Sequence, residues 1–189
     1  PLVDSLDQAL AYQPEYIIWV VDPETITEED LIEVRQTVRE TGQVVALGLI
    51  TGNTLEDAQD LWQRRSACGE GPIYRVYGAD PESHVEEGII VAEDGTTASL
   101  NSDSLRAALS NASYLSYMGH GGSSYWGLDA STNVGFDSVD IPELNACLVG
   151  TAACETVSLW SGPDNMALTM IERGAAAYTG FATSPNSGY

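Results

Sequence analysis

Lysine is missing from this 189-residue chain, and seven arginines are its only fixed cations against 28 Asp and Glu, a formal charge of −21. Such a surface repels phosphate backbones and anionic lipid, which argues against nucleic acid and anionic membrane as partners. It attracts cationic peptides and metal ions from a distance, and it keeps a protein soluble. Cysteine is scarce as well: Cys68, Cys147 and Cys154 are the full set. Cys147 and Cys154 fall on one predicted strand, facing opposite sides and about 20 Å apart when extended, too far to bridge. A disulfide scaffold is thereby excluded. Cys147 reads as a core residue and Cys68 as a loop or helix-end residue. No apolar run approaches the ~20 residues that cross a bilayer, so no membrane insertion is expected. There are two histidines, no CxxC pair and no HExxH, so a zinc site built from His120, Cys154, Asp129 and Glu155 is disfavoured. GxGxxG and GxxxxGK[ST] are absent too, which removes the usual nucleotide cradles.

What is present is a 43% apolar composition without repeats, low-complexity tracts or an interdomain linker. We read residues 1–189 as a single domain, and the start at Pro1 suggests an excised or incomplete fragment. Short apolar runs alternate with capped amphipathic segments. Strands are predicted at Tyr16–Val21, Val44–Ile50, Ile73–Tyr77, Tyr114–Met118, Ala146–Ala153 and Ala176–Phe181. Helices are predicted over Thr27–Thr41, from Thr54, over Ser102–Asn111 and over Asn165–Arg173. The first two start on capping boxes, Thr27 with Asp30 and Thr54 with Asp57. Asp94-Gly95 marks a small hairpin, Ile89–Ala92 with Thr96–Leu100. This alternation predicts an α/β fold: a mostly parallel six-stranded sheet with helices on both faces, plus the hairpin. The acidic run Asp80–Glu87 is read as exposed, with His84 facing solvent.

Two apolar runs end in reactive residues. Tyr114–Met118 runs into Gly119-His120-Gly121-Gly122, and Ala146–Ala153 runs into Cys154-Glu155-Thr156. Ligands bind beyond the carboxyl ends of parallel strands, so His120 and Cys154 are expected side by side there. An imidazole beside a thiol can take its proton or lower its pKa and so make a nucleophile. The N–H groups of Gly121 and Cys154 could then hold an oxyanion. Glu155 is expected to open the next helix, without a chemical role.

A strand ending in His-Gly followed, 34 residues on (154 − 120), by one ending in Ala-Cys resembles the caspase-like cysteine peptidases. Within that clan GHGGSSYWG and GFATSPNS are most similar to the gingipain family, and AACET is similar to the CHAT domains. The likeness covers roughly residues 110–189. It implies a three-layer caspase-like fold and a cysteine endopeptidase with a His120/Cys154 dyad, acting on protein or peptide substrate. No cofactor is required for that chemistry. Calcium is possible, since gingipain-like domains carry calcium sites and Asp129, Asp137 and Asp140 cluster between the two motifs. Gingipain relatives cleave after basic residues. A basic P1 residue would meet Asp80, or less favourably Asp22, with Ser184 and Asn186 of the neutral loop after the last strand beside the pocket. The alternative is a catalytically silent caspase-like domain that binds or regulates.

Overall fold

Strands and capped helices alternate along the chain to give an α/β architecture, and the computed structural model describes residues 2–67, 69–78, 88–129 and 134–183. The chain opens with α1 (Leu6–Leu10), β1 (Tyr16–Val20), α2 (Glu28–Glu40), β2 (Ala46–Ile50) and α3 (Leu55–Arg64). The helices α2 and α3 start on the expected capping boxes: Thr27 and Thr54 each accept from the backbone of Asp30 and Asp57, whose carboxylates reach back. Each reciprocal pair satisfies two amide donors that a helix start otherwise leaves bare. After them come β3 (Ile73–Tyr77), β4 (Ile89–Ala92), β5 (Thr97–Ser99), α4 (Ser102–Asn111) and β6 (Tyr114–Met118). The remaining elements are β7 (Gly121–Gly122), β8 (Tyr125–Asp129), β9 (Val134–Asp137), β10 (Leu148–Ala152), α5 (Met166–Glu172) and β11 (Ala177–Thr179).

The six-stranded sheet differs from the expected one. Its order is β11-β10-β6-β3-β4-β5, and it is mixed rather than mostly parallel. The strands β11, β10, β6 and β3 run parallel, whereas β4 and β5 are antiparallel. The predicted hairpin is not a separate appendage: it pairs Tyr74–Tyr77 with Ile89–Ala92 and so extends the main sheet. The tight turn at Glu93–Gly95 returns β5 beside β4, and a turn that short permits only antiparallel pairing. The first two predicted strands, meanwhile, pair with each other in a separate two-stranded parallel sheet.

That separation decides the layers. Val76, Ile90, Leu115, Tyr117 and Val149 share one face of the main sheet and are buried with Leu105 and Leu109 of α4 and Met170 and Ile171 of α5. On the opposite face Ile73, Tyr114 and Met118 remain exposed. The helix α2 follows β1 and buries no residue completely. Leu31 joins a smaller cluster with Trp19, Val21, Leu49 and Ile26. The helix α5 serves both clusters: Met166 and Met170 point into the larger, Ala167 and Leu168 into the smaller. Burial of six consecutive residues of α5 fits an all-round apolar stretch, not an amphipathic one. Among the described residues no helix is long and apolar enough to cross a membrane.

Candidate active site

The strands β6 and β10 are direct parallel neighbours, in register from Tyr114↔Leu148 to Met118↔Ala152. His120 lies two residues beyond Met118, and Cys154 two residues beyond Ala152. Parallel neighbours are about 4.8 Å apart, so the two motif loops leave the sheet at the same level and the same edge. His120 is exposed and Cys154 is half-buried. The loops also touch: a Cβ on Gly121 would stand 2.8 Å from the Cβ of Ala153 and 3.6 Å from Cγ2 of Thr156. Only glycine lets the backbone after His120 lie that close to the Cys154 loop.

The stretch between the motifs carries a small antiparallel sheet in the order β7-β8-β9. Its register fixes the backbone beside His120. Gly121 is paired with Trp126, and the bond made is Gly127 N–H to His120 O, at 2.8 Å. In such a pair the flanking residues make the hydrogen bonds. The N–H of Gly121 therefore points away from β8.

Beneath the His120 turn lies a buried aromatic pair. Tyr117 and Trp126 stack with centroids 4.6 Å apart and planes 3° from parallel, and both are fully buried. The Tyr117 hydroxyl lies 2.8 Å from the carbonyl oxygen of His120 and 2.6 Å from that of Gly127. A phenol has one proton, so the two acceptors share it. Burial pushes the Tyr117 hydroxyl well above the ordinary tyrosine pKa, opposed in part by its bond to Gly127. Glycines make room for this hydroxyl: a Cβ on Gly78 or Gly119 would stand 2.5 or 2.7 Å from it.

On the Cys154 side the chain turns through Glu155 at φ 58°, in the left-handed region. A non-glycine residue there costs roughly 1–2 kcal/mol. Glu155 therefore belongs to a turn and does not open a helix as expected; the next α-helix starts at its predicted place, with Asn165 as the N-cap of α5. The buried Asn165 side chain accepts from the N–H groups of Ala167 and Leu168 and donates to Ser158 O, at 3.1 Å. Val157 N–H donates to Phe181 O at 3.0 Å, and Ser158 Oγ donates to Ala182 O. Thus the GFA end of the last motif is tied to the loop that carries Cys154. Behind them the buried Tyr178 hydroxyl sits against Thr156, Trp126 and Thr151, and burial raises its pKa strongly. Among the described residues, no hydrogen bond of good geometry satisfies Tyr178 OH, Thr156 Oγ1 or Trp126 Nε1.

Asp80, Ser184 and Asn186, together with Cys68 and His84, lie outside the described residues. Asp22 follows β1 on the two-stranded sheet, and its carboxylate accepts from Glu24 N–H at 3.0 Å. Of the proposed calcium ligands, Asp137 is exposed and Asp140 is paired with Arg106 at 2.9 Å. Among the described residues no group of three or more His, Cys, Asp or Glu is placed to hold a metal ion. Tyr117, Trp126 and Gly127 were missed as contributors to this edge. The signal was period-two alternation in Tyr125–Leu128, hidden in a stretch rich in Gly and Ser. Compared with known proteins, the chain matches no family model, no curated protein and no solved structure.

Proposed function

We propose that this chain is a cysteine endopeptidase domain of the caspase-like, gingipain-related kind. The observation that carries the reading is the in-register pairing of β6 with β10, which sets His120 and Cys154 at equivalent points beyond neighbouring strand ends. Cys154, as thiolate, attacks the scissile carbonyl carbon, and His120 accepts the thiol proton and returns it to the leaving amine. Water then hydrolyses the thioester, with His120 as base. The N–H groups of Gly121 and Cys154 hold the tetrahedral oxyanion. The exposure of His120 and partial exposure of Cys154 suit a macromolecular substrate.

We place a basic residue at P1. The rationale is charge complementarity with a chain of formal charge −21, and Asp80 is the residue assigned to meet it. Cleavage of a mixed peptide library by wild type and by Cys154→Ala tests both parts. The variant should lose cleavage with its fold intact by circular dichroism, and cuts should follow Arg and Lys. Equal cleavage by the two proteins would overturn the mechanism. Cuts after Asp would overturn the specificity.

A further inference from the structure

We infer that Tyr117 is a positioning residue: its buried hydroxyl sets the peptide unit between His120 and Gly121, and through it the oxyanion donor. The inference rests on the peptidase reading above. One planar peptide contains both the carbonyl of His120 and the N–H of Gly121, and in a trans peptide these point in opposite directions. Whatever holds the carbonyl therefore aims the N–H. Two donors hold it: the Tyr117 hydroxyl at 2.8 Å and Gly127 N–H at 2.8 Å. The second belongs to the β7–β8 ladder. The first is a side chain rooted in β6, so it ties the turn to the strand that delivers His120.

The hydroxyl is itself fixed. Its ring is fully buried and stacked on Trp126, its other acceptor is Gly127 O at 2.6 Å, and Gly78 and Gly119 leave no room for a side chain against it. Gly127 thus donates its N–H to His120 O, while its own carbonyl shares the single Tyr117 proton with His120 O. Gly121 has no side chain to anchor it, and its turn is an edge of the small sheet. Without Tyr117 the peptide keeps one of its two restraints. A donor displaced by a fraction of an ångström meets a ground-state carbonyl nearly as well as before but a developing oxyanion less well. The effect should therefore fall on kcat and leave KM nearly unchanged.

Two replacements test this with a fluorogenic peptide carrying Arg at P1, rates being normalised to alkylation-titrated Cys154. Tyr117→Phe keeps the ring and the stack. It should lower kcat about tenfold, less than the loss of a whole oxyanion donor, with KM within about twofold. Replacement of Tyr117 by 2,3,5-trifluorotyrosine keeps the ring and the hydroxyl with its two acceptors, so it does not depend on the phenylalanine variant folding. It should shift the alkaline limb of the kcat–pH profile downward, because a phenolate cannot donate to a carbonyl. A Tyr117→Phe enzyme with wild-type kcat per titrated site, or an unmoved alkaline limb in the trifluorotyrosine enzyme, would refute the positioning role. Cys154→Ala, assayed alongside, separates the two ideas: retained activity there defeats the peptidase reading, whereas an inactive Cys154→Ala beside a fully active Tyr117→Phe defeats only the role of Tyr117.

Discussion

Raising the pH should unfold this protein through two tyrosines, and replacing one of them should halve the effect. Tyr117 and Tyr178 both have hydroxyls whose pKa burial raises far above the ordinary value. In the unfolded chain each ionises near pH 10. A group whose pKa is higher in the folded state contributes stability that is complete below the unfolded pKa. That stability is lost as pH rises toward the folded pKa. Above about pH 10 the unfolded state binds two fewer protons than the native state from these groups. Stability should then fall by about 2.7 kcal/mol per pH unit, 1.36 for each proton. Tyr117→Phe removes one of the two, leaving about 1.4 kcal/mol per unit. At neutral pH the same variant should cost about 1–2 kcal/mol, because Gly127 O loses a buried donor while His120 O keeps Gly127 N–H. Urea melts of both proteins between pH 8 and about pH 11.5, the window set by these ionisations, measure the slopes. General repulsion from the other ionising tyrosines affects both proteins alike, so the difference isolates Tyr117. Equal alkaline slopes would show that the Tyr117 hydroxyl ionises as readily folded as unfolded, and the buried bonding described for it would be wrong.

Three further outcomes follow from packing and charge. Gly121→Ala places a methyl group 2.8 Å from Ala153 Cβ and 2.9 Å from Tyr125 O, so it should cost about 1–3 kcal/mol and abolish peptide cleavage; a fully active variant would show that the two motif loops are not in contact. Cys147 is fully buried, and Cys147→Ala should cost on the order of 1 kcal/mol in urea melts while cleavage is retained. With a charge of −21, added salt should raise the melting temperature by screening self-repulsion, and a flat profile by calorimetry would assign the acidic surface to solubility alone.

Much of the local structure was written in the sequence. The spans Ile73–Tyr77, Tyr114–Met118 and Ser102–Asn111 lie where the apolar period puts them, and the boxes at Thr27 and Thr54 start their helices as expected. These features depend on a residue and its neighbours within one or two turns, so the local chain determines them. The adjacency of the two strands that precede His120 and Cys154 was also legible, because two apolar runs joined by a long connection can pair in parallel. Tertiary structure alone decided the rest. Whether Tyr16–Val20 and Ala46–Ile50 join the main sheet is a choice among edges that look alike in sequence, and only the packing of Trp19, Leu49 and Leu31 on Leu168 settles it. The hairpin's place at the β3 edge, which makes the sheet mixed, is a long-range choice of the same kind. Tyr117 reads in sequence as one more apolar strand residue. Its hydroxyl acquires a role only when β8 brings Trp126 and Gly127 over it, a contact that depends on how a Gly- and Ser-rich connection folds back on itself.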